Sequence, residues 1–142
     1  MTIVVLPIIA LPFHEEINST TSIFIFFHHF IFMFILNLIF DIKDRSADKT
    51  INKMTIASSY SKNTVYKILY LNIAVLISIQ LSGFYFLINK WLPFSLLLAS
   101  IFLIYFIEKS KQQKNLTWYL IFIDGLMLLP LMFSLLFLYY KY

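Results

Sequence analysis

Apolar and polar residues in this chain are not finely interleaved; they come in blocks. Ser22 to Phe40 runs nineteen residues without an Asp, Glu, Lys or Arg. A helix of that length spans roughly 28 Å, which suits one crossing of a hydrocarbon core about 30 Å thick. Ile68 to Ile88 and Trp91 to Ile107 repeat the pattern, and Trp118 to Tyr139 repeats it with one interruption at Asp124. Tyr70, Trp91, Trp118, Tyr119, Tyr139 and Tyr140 fall near the predicted ends, where interfacial aromatic residues belong. Thr2 to Phe13 is apolar but only twelve residues long, carries Pro7 and Pro12, and lacks the basic start of a signal peptide. It reads as the tail of a helix that begins before residue 1; an interfacial or re-entrant segment is the other reading. The expected fold is therefore all-α, an integral membrane helical bundle of four full transmembrane helices plus a partial N-terminal one, forming a single domain over 1–142. The hydropathy pattern shows no heptad seam, no solenoid period and no low-complexity tract.

Composition agrees with the pattern. The chain is 61% hydrophobic and 13% charged, with mean hydropathy +0.84; soluble domains carry about 25% charged residues. The absence of cysteine excludes disulfides and thiolate metal sites. Two glycines leave helix packing to Ser, Ala and interdigitated Phe, Leu and Ile. A formal charge of +4 bears on loop orientation and anionic headgroups, and no nucleic-acid partner is expected.

The longest connection, 41–67, reads as a polar, Asp/Lys-rich loop. It carries Lys43, Arg45, Lys49, Lys53, Lys62 and Lys67, and 108–117 adds Lys109, Lys111 and Lys114. A tight hairpin at Asn89-Lys90 puts both on one side, leaving Lys90 and Lys141 opposite. That asymmetry predicts a cytoplasmic position for the 41–67 loop.

Three of the seven acidic residues, Asp41, Asp44 and Asp48, fall within eight positions directly after the first apolar run. At about 100° per residue, positions i, i+3 and i+7 share one helical face, so these like charges repel unless a cation lies between them. Magnesium favours such oxygens and commonly takes one or two carboxylates, leaving its other positions to water and phosphate. Flanking cations at Arg45, Lys49 and Lys53 are suited to phosphate oxygens. The plainer alternative is a solvated helix end with Asp41 paired to Arg45 at i+4.

The stretch Phe40-Asp41-Ile42-Lys43-Asp44, through Asp48-Lys49 and on to Thr55-Ile56, resembles the second aspartate motif of the UbiA superfamily of intramembrane prenyltransferases. That pattern is roughly Asp-x-x-Asp-x-x-x-Asp, then Gly and Lys-Thr-(Ile/Leu)-Pro, on the cytoplasmic side of a transmembrane helix. Here Asn52 stands for the Gly, Met54 for the Lys, Ala57 for the Pro and Ser61 for a later Gly. The resemblance implies correspondence to the fifth to ninth of nine helices. It implies a Mg²⁺-dependent transfer of a prenyl group from an isoprenoid diphosphate to an acceptor. Asp44 and Asp48 would be the metal-binding pair with Asp41 in support, and Arg45, Lys49 and Lys53 would steady the diphosphate. The family's first motif, Asn-Asp-x-x-Asp-x-x-x-Asp, does not occur in these 142 residues. The implied partners are therefore an N-terminal half or a second copy, besides membrane lipid.

Asp124, an ionisable group within the last apolar run, is a candidate cavity residue; exposure near the membrane edge or pairing with Lys114 is the alternative. His28 and His29 diverge by about 100° on a helix and suit interhelical hydrogen bonds better than joint metal ligation. Asn37 and Gln80 are expected to make interhelical polar contacts or to line a cavity. The competing function is a non-enzymatic membrane scaffold or transporter subunit that uses the Asp-rich loop as a docking patch.

Overall fold

The structure is a computed structural model that describes residues 19–87 and 90–111, together with Thr117, Gly125, Leu126, Leu128 and Met132. Helix dominates the described residues, and no strand occurs among them. In chain order the elements are α1, Ser19–Thr50; α2, the single turn Ile56–Ser59; α3, Lys62–Phe86; and α4, Trp91–Ser110. The helices α1, α3 and α4 are long and apolar enough to cross a membrane; α1 and α4 contain the first and third predicted crossings, and α3 covers the second as far as Phe86. The fourth, Trp118 to Tyr139, and the segment Thr2 to Phe13 lie outside the described residues.

The long loop expected over 41–67 is mostly helix. Helix α1 continues ten residues past its apolar run, to Thr50, because Asp41 to Thr50 contains neither Gly nor Pro and carries Lys, Arg and Ala that tolerate a solvated helix. Its termination is specific. Asn52 adopts φ 53°, the left-handed conformation that Asn tolerates better than most side chains. The Lys53 N–H then donates to the Asp48 carbonyl at 2.9 Å and the Asn52 N–H to the Lys49 carbonyl at 3.4 Å. That pair of reverse bonds is a Schellman cap, so Asn52 does the work that glycine commonly does at this position. The chain then re-enters helix twice. Thr55 caps α2 in a reciprocal box with Ser58, and the Ser61 hydroxyl accepts from the Thr64 N–H at 3.2 Å to open α3. At the other end of α3, Lys90 Nζ donates to the carbonyls of Phe84 and Leu87, each at 2.5 Å, as cations do at helix C-termini.

Helix α3 packs against α1 and against α4. Its buried positions are Val65, Leu69, Ile73, Leu76, Gln80 and Gly83, a spacing of four, four, three, four and three. This is the heptad seam that the hydropathy pattern did not reveal. In a soluble helix the outward face is polar and the stripe stands out. Here the outward face is apolar too, as with Leu71, Val75 and Leu81, and the contrast vanishes. The seam packs against Phe32, Ile35, Leu36 and Ile39 of α1 and Leu103 and Ile107 of α4. With lipid as the competing surface, van der Waals fit and hydrogen bonds, rather than burial from water, hold such helices together.

Gly83 marks the tightest approach. A Cβ there would lie 2.8 Å from Phe24 Cε2, 2.9 Å from Phe24 Cζ and 3.0 Å from Pro93 Cβ, so glycine lets α1 and α4 close on α3. Three residues back, Gln80 is fully buried and ties the same helices together. Its Nε2 lies 2.9 Å from His28 Nε2, 2.6 Å from Ser100 Oγ and 3.2 Å from the Leu96 carbonyl. As donor to His28 Nε2, the amide requires the imidazole proton on Nδ1. Reversing the amide would exchange one orphaned acceptor, Gln80 Oε1, for orphaned N–H donors. His28 stacks between Phe24 and Phe32, with centroids 6.4 Å and 6.0 Å away. The expected interhelical roles of His28 and Gln80 are thus both observed. Asn37 differs: it lies on the exposed side of α1 and its carboxamide takes no part in the seam.

Two outcomes test this packing. Gly83→Leu should lower the stability of the detergent-solubilised protein by about 1–3 kcal/mol, with Phe24→Ala recovering part of the loss. His28→Phe and Gln80→Met, made singly and together, should give a double-mutant-cycle coupling of about 1 kcal/mol in unfolding by SDS.

Candidate functional site

The acidic residues stand on the part of α1 that extends beyond its apolar run. On an ideal helix Asp48 lies about 20° from Asp41 and Asp44 about 60° from it, with Arg45 about 40° to the other side. The fold gives the three carboxylates different surroundings. Asp48 is buried. Its Oδ2 accepts from Thr55 Oγ1 at 3.4 Å and its Oδ1 lies 3.9 Å from Lys53 Nζ. Asp44 is exposed and pairs with Lys43, Nζ to Oδ1 3.2 Å. Asp41, the first residue beyond the apolar run, is half-buried. Burial pushes its carboxyl above the ordinary value and the neighbouring Asp48 pushes it further; Lys53 partly offsets this and Asp44 adds to it.

Of the candidate cations, Lys53 therefore reaches a carboxylate, that of Asp48, and its charge is also felt at Asp41. Arg45 does not pair with Asp41. Its Nη2 donates to the Tyr60 carbonyl at 2.9 Å, which ties α1 to the turn before α3. Lys49 is exposed in the last turn of α1. Among the described residues, no three of His, Asp and Glu gather closely enough to hold a metal ion between them. A Mg²⁺ ion needs only one or two carboxylates when phosphate and water complete its shell, and Asp41 and Asp44 carry oxygens of that chemistry. Asp124 lies outside the described residues. His28 is engaged with Gln80, while His29 is buried with its Nε2 unpartnered among the described residues.

Sequence reasoning missed two sets of residues. Thr55 and Ser58 lock Asp48 from below: Ser58 Oγ donates to the Lys53 carbonyl at 2.8 Å, and the Thr55 N–H donates to Ser58 Oγ at 2.8 Å. The Thr-x-x-Ser spacing of a cap was the available signal. At the same end of the bundle, Tyr66 and Tyr70 of α3 meet Glu108 and Lys111. Lys111 Nζ lies 2.8 Å and 2.7 Å from the two Glu108 oxygens, 5.3 Å from the Tyr66 ring centroid and 5.2 Å from that of Tyr70. The Tyr70 hydroxyl donates to Glu108 Oε1. The i, i+4 spacing of the tyrosines and the i, i+3 spacing of the ion pair were legible, but not that they face each other.

Compared with protein-family models, with curated proteins and with solved structures, the chain matches none. What the fold itself defines is a helical protein with three described helices of membrane-crossing length and composition. Their charged residues gather at the end where α1 stops, α3 starts and α4 stops.

The Lys111 and Tyr70 hydrogen bonds hold the Glu108 carboxyl below its usual value of 4.5. A group depressed in this way stabilises the fold above that value and loses its contribution as the pH falls through the depressed one. In nonionic detergent, the ¹³C-labelled Glu108 carboxyl is expected to titrate below 4.5, and Lys111→Ala should move the midpoint back up.

Proposed function

We propose that this chain is an integral membrane protein that binds an isoprenoid diphosphate through Mg²⁺ at the acidic end of α1, as one half of a UbiA-like prenyltransferase. The acidic end faces the cytoplasm in this reading, as the basic residues gathered beside it favour. One arrangement supports the proposal: three carboxylates on one arc of a helical extension, with Lys53 beside Asp48 and its charge felt at Asp41. Bound there, Mg²⁺ would neutralise charge on a diphosphate as its carbon–oxygen bond breaks. The chain's own groups have separate tasks. Asp41 and Asp44 present oxygens to the cation, and Asp48 holds the loop that carries Lys53. Lys53, Lys49 and Arg45 supply positive charge to phosphate oxygens. Asp124 is a candidate lining group for the prenyl cavity, and the facing aspartate motif comes from an N-terminal half or another copy.

A second reading is a non-enzymatic scaffold or transporter subunit. It is favoured by Ile51 and Met54, which are 70% and 93% exposed at the loop tip beside Lys49 and Lys53, an apolar and basic point suited to docking. One titration separates the two. In nanodiscs, farnesyl diphosphate should bind only with Mg²⁺, and Asp41→Asn or Asp44→Asn should weaken it about tenfold or more. Binding that ignores both the ion and the substitutions would exclude the enzyme reading.

A further inference from the structure

Tyr66, Tyr70 and Glu108 enclose the Lys111 ammonium more completely than an ordinary surface ion pair does. Two ring faces stand 5.3 Å and 5.2 Å from it, and both carboxylate oxygens lie within 2.8 Å. The Tyr70 hydroxyl holds the carboxylate in place from behind. Aromatic faces beside a carboxylate form the chemistry that recognises organic ammonium groups, and weakly hydrated quaternary ones best. The height of the cluster bears on the source of such a group. Tyr70 stands two residues inside the apolar run of α3, and Glu108 is the first residue after that of α4. With α3 and α4 crossing a bilayer, the cluster lies at the headgroup layer, where Tyr is enriched.

We propose that Tyr66, Tyr70 and Glu108 form a binding site for the ammonium of a zwitterionic phospholipid headgroup, with Lys111 as its tethered resident. The exchange is balanced in charge. The lipid ammonium takes the place between the rings and the carboxylate, and the released Lys111 ammonium pairs with the same lipid's phosphate. Lys67 and Lys109, both exposed and next in sequence to Tyr66 and Glu108, add cations at the same level. A tethered lysine keeps the site closed in a purely anionic leaflet, which offers no competing ammonium. Occupancy thus becomes sensitive to headgroup type.

The test is amine footprinting of the full chain in vesicles of phosphatidylcholine or of phosphatidylglycerol. Phosphatidylcholine has no acylable amine, and the Lys111 to Lys109 acetylation ratio cancels differences in surface potential. The ratio is expected to rise about fivefold in phosphatidylcholine, and the lipid dependence to disappear in Tyr70→Leu and in Tyr66→Leu variants of unchanged helicity. An equal ratio in the two lipids overturns the proposal and leaves a plain interhelical salt bridge. A rise in phosphatidylglycerol vesicles on adding millimolar soluble phosphocholine, as large as the rise with the lipid, would overturn the lipid source.

Discussion

Helix α1 is longer than a bilayer is thick, and the rest of the acidic end follows from that. Its 32 residues extend about 48 Å, against roughly 30 Å of hydrocarbon. If α1 crosses a bilayer, its last ten residues stand outside the apolar layer, and they carry the charge that the first twenty-two lack. Because the extension is helical, Asp41, Asp44 and Asp48 keep the angular relation that a flexible loop would have lost. The Schellman cap at Asn52 turns the chain sharply back. The capping box of α2 then brings Thr55 under Asp48. Arg45 meets the Tyr60 carbonyl only because that return is tight.

The apolar runs were legible because uninterrupted length is itself the signal: nothing but a membrane segment needs nineteen residues without charge. The seam along α3 was not legible, since lipid and protein faces are equally apolar and periodicity survives only at Gln80 and Gly83, where size and polarity depart from the background. The 41–67 stretch reads as loop because it is polar and lacks an apolar stripe, although most of it is helix. Lys, Arg and Ala between the aspartates form helix readily, and the chain breaks first at Asn52. That one position was readable: an Asn where a related pattern has Gly announces a left-handed residue, and φ 53° agrees. Spacing offers Arg45 the Asp41 carboxylate at i+4 as the plainer alternative to a phosphate; the fold gives it a carbonyl fifteen residues away.

The polar residues of α1 and α3 divide by what can satisfy them. Asn37 points outward and Gln80 inward, though both are amides within apolar runs. Gln80 is tolerable because the two neighbouring helices supply His28 from α1 and Ser100 and the Leu96 carbonyl from α4 within hydrogen-bond reach. Each is a local donor or acceptor already placed by its own helix, so the contact adds specificity at small entropic cost. The neighbouring Gly83 makes this possible by letting the helix backbones approach. Packing and hydrogen bonding are therefore one device here, and removing either loosens the other.

The same division sorts the carboxylates, and it shifts weight within the proposed diphosphate site. Glu108 is held by Lys111 and Tyr70, and Asp48 by Thr55 and Lys53. A carboxylate committed to the chain's own donors gives up those bonds before it can coordinate an ion. Asp44 is itself exposed and pairs with the half-buried Lys43, a contact worth about 1 kcal/mol or less, and Asp41 is pressed first by burial and then by like charges. In the proposed site, a magnesium ion arriving with a diphosphate would relieve repulsion at Asp41 and would displace little at Asp44. Asp48 contributes more by staying where it is, since the loop it anchors carries Lys53. The family resemblance names Asp44 and Asp48 as the pair. The packing of this chain favours Asp41 and Asp44 as ligands, with Asp48 as the residue that positions the cation beside them.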